Sequence, residues 1–280
     1  MSDHGTESGG NGEYRGSDEH SAEELVTARG RWRIRRVQRT GSTNRDLAEA
    51  ARSGVGEGAV LVAGYQTAGR GRLTRGWSSP PGAGLTFSVL LRPEPVPVPR
   101  WGWLSMLAGL AVVDAVDPVT GVPAQLKWPN DVLVADRKLC GILSEVITGQ
   151  RPGDPAAVVI GIGLNVASDA EQLPPTGTSV SIVAGRQLRP DDLLPSVLER
   201  LAGWYEAWHA ADGDAERAGV RAAYRERSAT FGRSVTVQLA GERTTGEAVD
   251  VDEAGRLVLR RMDGTLGTFG SGDVIHATLE

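Results

Sequence analysis

Residues 32–35 alternate apolar and charged, Trp32-Arg33-Ile34-Arg35, the period of two that marks a strand. Gly41-Ser42-Thr43-Asn44 follows as a turn and helix cap, and a short helix is expected over 45–52, ended by Ser53-Gly54. Residues 59–65 and 84–91 are apolar, β-rich runs that predict two more strands. A Gly/Arg-rich loop, 67–81, separates them. Four prolines within 93–99 predict an extended surface connection. Residues 103–116 read as a largely buried helix. Residues 126–134 and 139–147 predict paired strands around the turn Ala135-Asp136-Arg137, and 157–166 another buried strand. Helical patterns occupy 193–209 and 216–228. From Val235 the pattern changes to five short strands, 235–239, 246–251, 256–259, 265–269 and 274–276, with turns at 252–255 and 263–264. That density suggests a small β-barrel. The expected organisation is an α/β (α+β) domain over 29–230 and a compact all-β domain over 231–280.

Charge changes the picture at the N-terminus. Residues 1–28 hold seven acids and one Arg, so this stretch carries −6 of a formal net charge of −5. It is expected to be a disordered acidic tail, because it cannot bury enough apolar surface to offset its ordering entropy. The whole chain of 280 residues has length for roughly two domains at about 150 residues each. A single cysteine, Cys140, excludes an intrachain disulfide scaffold and a multi-Cys zinc site. Four scattered histidines offer no ligand spacing, and no apolar run reaches the roughly 18 residues of a membrane span. The polar start is unlike a signal peptide, which makes a cytoplasmic protein the expectation. Of the 30 basic residues, 28 are Arg; only Lys127 and Lys138 are Lys.

Five segments carry candidate chemistry. In Gly69-Arg70-Gly71-Arg72-Leu73-Thr74-Arg75-Gly76-Trp77, glycines let backbone N–H groups approach an anion, and three arginines repel one another unless something negative joins them. The same pattern suits a solvated basic hairpin tip or nonspecific contact with nucleic-acid phosphates. It is neither a P-loop nor a dinucleotide fingerprint. Lys127-Trp128-Pro129-Asn130-Asp131 sets an amine, an indole, an amide and a carboxylate around a rigid turn, or simply pairs a lysine with an aspartate. Lys138 enters the apolar strand Leu139-Cys140-Gly141-Ile142-Leu143, where a partly desolvated ammonium seeks an anion or snorkels to solvent. Gly161 and Gly163 project to one face of their strand, which suits close approach of a ligand or of another element. Ser42-Thr43-Asn44 supplies small polar groups at a helix start, fitted to a carboxylate, a ureido group or an ordinary N-cap.

In combination and in this order, Gly-Ser-Thr-Asn, Gln-Thr-Ala-Gly-Arg-Gly-Arg with its Trp, Lys-Trp-Pro-Asn-Asp, Arg-Lys-Leu-x-Gly-Ile-Leu and Gly-Ile-Gly-Leu-Asn, the sequence resembles the biotin protein ligases over residues 32–280. The resemblance implies a catalytic domain like that of class II aminoacyl-tRNA synthetases, with a mixed sheet, followed by an SH3-like barrel. It implies biotin and ATP as substrates with Mg²⁺, whose ligands remain unnamed, and a biotin carboxyl carrier domain as partner. Biotin would be held by Ser42, Thr43, Asn44, Gln66, Gly69, Arg70, Arg72, Lys138, Gly161 and Gly163. The nucleotide would meet Arg72, Arg75, Trp77, Lys127, Asn130, Lys138 and Asn165. Lys138, Asp131, Arg72 and Lys127 would carry the chemistry, Asp131 by orienting or deprotonating the acceptor lysine.

Some members of that family carry an N-terminal helix-turn-helix domain. The short acidic stretch here opposes DNA binding, so a ligase without repressor function is expected, acting as a monomer or weak homodimer away from nucleic acid and membrane. The nearest competing reading is a lipoate–protein ligase or octanoyltransferase of the same fold. A competing reading of another class is a nucleic-acid-binding module using the Gly/Arg loop and the basic residues 29–39.

Overall fold

A computed structural model describes residues 25–26, 31–72, 75–148, 156–239, 242–270 and 273–276. Eight strands form one mixed sheet: β1 (Leu25–Val26), β2 (Arg33–Thr40), β3 (Ala59–Gln66), β4 (Gly84–Leu91), β5 (Gln125–Lys127), β6 (Asp131–Val134), β7 (Arg137–Ile147) and β8 (Ala157–Asn165). Their order is β1-β2-β3-β4-β8-β7-β6-β5. Only β2 and β3 run parallel, and α1 (Thr43–Arg52) crosses between them. Every residue of β4 is buried, because both faces of the sheet are covered.

Strand alternation assigns the two faces. Leu85, Phe87, Val89 and Leu91 of β4, with Val158, Ile160, Ile162 and Leu164 of β8, join the main core. The long helices α2 (Leu104–Thr120) and α4 (Pro190–Ala210) pack together in that core. On the other face Leu90, Ala157, Val159 and Ile147 meet Leu47, Ala48, Ala50 and Ala51 of α1. Helix α1 is only 10 residues long and covers one end of this face. Beyond its N-terminus the same face carries Thr86 and Ser88 of β4, Gly161 and Gly163 of β8, and Gly141, Leu143 and Glu145 of β7. Small side chains there leave room above the sheet.

Short helices α3 (Val180–Ala184) and α5 (Val220–Arg227) lead towards the C-terminal sheet. This sheet is antiparallel, with β9 (Ser234–Leu239), β10 (Glu242–Val251), β11 (Leu257–Arg260), β12 (Leu266–Phe269) and β13 (Asp273–His276) in the order β12-β11-β10-β9-β13. Its Val235, Val237, Ala248, Val251, Leu257 and Leu259 belong to the same contiguous core as the eight-stranded sheet. Two tryptophans fasten the junction. Trp103 Nε1 donates to Glu253 O at 2.9 Å and Trp128 Nε1 to Gly255 O at 3.1 Å, both on the β10–β11 turn.

Four expectations change. Residues 126–134 are not one strand, because Trp128-Pro129-Asn130 forms a turn that makes Lys127 and Asp131 antiparallel partners. The second helix of 216–228 starts only at Val220, after Asp214 Oδ1 has accepted the N–H groups of Glu216 and Arg217 in a tight turn. The proline-rich connection coils into a 3₁₀ turn from Val98. Within the stretch 1–28, Leu25 and Val26 depart from disorder, pairing with Ile34 and Arg33 through the free backbone edge of β2; the rest of that stretch lies outside the described residues.

Candidate active site

Above the glycine-bearing face lies a cavity of about 340 Å³. Ser42, Thr43, Asn44 and Gln66 line one end. Arg70, Arg72, Arg75, Lys127 and Lys138 line it with Trp77, Asn130 and Asp131. Thus segments 42–44, 66, 70–72, 75–77, 127–131, 138 and 161–163 converge, although they span five strands, a helix start and a loop.

The end at α1 is neutral and closely hydrogen-bonded. Ser42 caps α1, and Ser42, Thr43 and Asn44 are buried. Gln66 Oε1 accepts from the Thr43 backbone N–H at 2.7 Å and lies 3.0 Å from its hydroxyl. Ser88 Oγ is 2.7 Å from Thr43 Oγ1 and 2.6 Å from Asn44 Oδ1. Ser88 has one proton, so the three side chains share a chain of donors in which the Asn44 carbonyl can only accept. The Asn44 Nδ2 group donates to Leu143 O at 3.1 Å and to Glu145 Oε2 at 2.8 Å.

The other end is cationic, and its partners are acids and amides. Lys138 Nζ lies 2.6 Å from Asp131 Oδ1, Arg70 Nη1 lies 3.3 Å from Glu145 Oε1, and Arg72 Nη1 donates to Asn130 Oδ1 at 3.5 Å. The Lys138 ammonium also sits 5.9 Å from the Trp77 ring centre, within cation–π range. The Gly/Arg segment is a hairpin: Trp77 N–H donates to Gly69 O at 2.9 Å and Gly71 N–H to Arg75 O at 2.7 Å. Residues 73 and 74 lie outside the described residues. Asn130 ties its turn to β7, its Nδ2 donating to Ile142 O at 2.7 Å while its backbone carbonyl accepts the Ile142 N–H at 2.9 Å.

The glycine pair has a local explanation. A Cβ on Gly161 would overlap the Asn44 carboxamide, and one on Gly163 would overlap the Trp77 indole. The close approach that the glycines permit is therefore made by Asn44 and Trp77. Two expected contacts fall outside the cavity wall. Asn165 is buried and donates its amide to Thr178 O at 3.1 Å, so its polarity is used in holding the β8 end rather than in facing the cavity. Gly69 also stays behind the wall, where it accommodates the Trp77 carbonyl and the Gln66 amide.

Cys140, on the opposite face of β7 from Gly141, is fully buried. Burial pushes its thiol well above the ordinary range, and the nearby Lys138 charge only partly offsets this. Sequence reasoning missed Ser88 and Glu145 behind the site and Thr86, Gln238, Val274 and Ile275 on its wall. Two hydroxyls at alternate positions of the apolar run Gly84-Leu-Thr-Phe-Ser-Val were a usable signal; nothing marked the C-terminal residues.

A neutral hydrogen-bonding end joined to a cationic end in one cavity suits a small ligand with an uncharged polar head and an anionic group. The Biotin/lipoate A/B protein ligase family matches residues 36–165, and the biotin protein ligase C-terminal domain matches residues 230–277. The biotin–[acetyl-CoA-carboxylase] ligase of Mycobacterium tuberculosis is 41% identical over 266 residues, covering 92% of this chain and 95% of the relative. That of Paracoccus denitrificans is 34% identical, covering 80% and 92%. The biotin protein ligase from Aquifex aeolicus in complex with biotin and ATP superimposes with a TM-score of 0.71 at 27% identity, covering 87% of this chain and 98% of that one. The chain belongs to the biotin protein ligase family.

Proposed function

We propose that this chain is an ATP-dependent biotin–protein ligase that makes biotinyl-5′-AMP and transfers biotin to a lysine of a biotin carboxyl carrier domain. The observation that carries the reading is the polarity of one cavity, neutral and buried at Ser42, Thr43 and Gln66, cationic at five side chains towards the loop and the Lys127–Asp131 turn. The neutral end suits the ureido head of biotin, which needs donors and acceptors but no charge.

In the first step a biotin carboxylate oxygen attacks the α-phosphorus of ATP and pyrophosphate leaves. Two anions must approach each other, so the main work is electrostatic. Lys138, with Arg70 and Arg72, brings the carboxylate and α-phosphate together and stabilises the charge that develops between them. Lys127 and Arg75 serve the nucleotide and the departing pyrophosphate, with Trp77 and Asn130 against the nucleotide. Magnesium enters with ATP. The ion would supply positive charge on the phosphates; among the described residues no three His, Cys, Asp or Glu side chains cluster.

In the second step the carrier's lysine amine attacks the acyl carbon and AMP leaves. A free lysine has a pKa of about 10.4 and arrives mostly protonated at neutral pH. Asp131, 2.6 Å from Lys138, orients that amine and accepts its proton as Lys138 turns to the phosphate. The hairpin over the cavity excludes water from a hydrolysable anhydride. The acting form in this reading is a monomer or weak homodimer. The need for ATP and a carboxylase substrate points to the cytoplasm, with no nucleic acid or membrane as partner. The apolar segment 98–120 is long enough for a span, but most of it is buried in the fold.

Mass spectrometry of a carrier domain incubated with the protein, biotin and MgATP tests the reading. The expected result is one biotinyl group on one lysine. Modification by lipoate in place of biotin would overturn it.

A further inference from the structure

Glu145 stands outside the cavity wall, on the same face of β7 as Gly141 and Leu143. Its two carboxylate oxygens serve different parts of the site. Oε2 accepts from Asn44 Nδ2 at 2.8 Å; Oε1 faces Arg70 Nη1 at 3.3 Å. Asn44 fills the space that Gly161 leaves open and is hydrogen-bonded through Ser88 to Thr43, whose hydroxyl meets Gln66. A continuous series of contacts therefore runs from the loop guanidinium to the neutral cradle, and Glu145 is its centre.

The two neighbours differ in what they need. Asn44 is buried and starts a helix, so its carboxamide has few orientations. The Arg70 side chain is about half exposed, on a hairpin attached at Gly69 and Gly71, and is otherwise free to turn among many rotamers. A carboxylate fixed on one side by Asn44 gives Arg70 one direction. The fixed cradle and the mobile guanidinium therefore share one carboxylate.

Resting on the reading above, we propose that Glu145 is a positioning residue that couples recognition of the biotin head group at α1 to placement of Arg70 for the carboxylate. Glu145→Gln is the informative variant. It keeps the side-chain volume and an acceptor for Asn44 but removes the charge that faces Arg70. The experiment measures biotin-dependent pyrophosphate release and thermal midpoint for the wild type, Glu145→Gln, Arg70→Ala and the double variant. The expected result is a biotin KM raised about fivefold in Glu145→Gln, kcat within about twofold, and an unchanged midpoint. In the Arg70→Ala background the same substitution then has no further effect on KM. An unchanged biotin KM overturns the proposal, as does an equal KM effect with and without Arg70. A wild type that releases no pyrophosphate with biotin defeats the ligase reading itself, whereas an active wild type matched by its Glu145→Gln variant defeats only this inference.

Discussion

The α1 end of the cavity and its loop end are both polar, yet their polar atoms are satisfied in different ways. At α1 the groups are neutral, buried and bonded to neighbours fixed in the fold: Thr43 to Gln66 and Ser88, Asn44 to Leu143 and Glu145. At the loop they are charged, about one-third to one-half exposed for Lys138 and Arg70, and paired with the carboxylates of Asp131 and Glu145. A neutral cradle must be built in advance, because an imperfect hydrogen bond in a buried site costs about 1–3 kcal/mol. A cation site need not be. Its side chains can exchange one carboxylate for another, or for a phosphate, at little cost while water still reaches them. Selectivity is accordingly expected from the α1 end and rate from the loop end.

Three interventions can break or sharpen that contrast. The largest effect is expected from Lys138→Ala, which should lower kcat for pyrophosphate release by about 10²-fold or more, the scale of removing a group that stabilises developing charge. The thermal midpoint should barely move, since a half-exposed ion pair adds little to stability. Unchanged pyrophosphate release would remove Lys138 from the chemistry. Thr43→Val comes next. It deletes the hydroxyl shared by Gln66 and Ser88 and should raise the biotin KM about tenfold with little change in the KM for ATP. A matching rise for ATP would mean that the two ends do not divide their work. Ionic strength should give the smallest of the three effects. Raising salt from about 0.05 to 0.5 M shortens the screening length and should raise the KM for ATP a few-fold and the KM for biotin, which carries a single carboxylate, by less.

A fourth test concerns the strand beneath the site. The Cys140 thiol has its folded pKa raised by burial, so it stays protonated when the unfolded thiol ionises near pH 8.5. Its contribution to stability is complete below that pH and declines above it. One unit higher, the stability difference between wild type and Cys140→Ala should have shifted by about 1.4 kcal/mol against the wild type. Chemical denaturation at pH 7.5 and 9.5 measures this; a pH-independent difference would mean that water reaches the thiol.

Much of this contrast was legible in the sequence, and unevenly so. Contiguous chemistry could be read: Gly-Arg-Gly-Arg and Lys-Trp-Pro-Asn-Asp place charge and turn residues within a few positions. The lysine skew was informative as well, since both Lys127 and Lys138 line the cavity. Apolar runs located β3, β4 and β8 closely, because burial on both faces leaves long stretches without polar interruption. Glu145 was hidden by the same logic, as an acid in an apolar strand has no local partner and both of its partners are far along the chain. Asn165 and Gly69 stand off the cavity wall for a related reason. Their residue types fit a ligand contact, but only the third dimension shows that Thr178, Gln66 and the Trp77 backbone already use them.

The C-terminal sheet has a consequence for the order in which the protein is made. Ser42 at the start of α1 and Ile275 in β13 line the same cavity, and β13 is held by pairing with β9. The Trp103 and Trp128 indoles reach carbonyls at residues 253 and 255. A ribosome must therefore release residue 276 before the substrate chamber can close, however early the eight-stranded sheet forms. Until then a nascent chain has the loop and both lysines but not the last wall of the cavity.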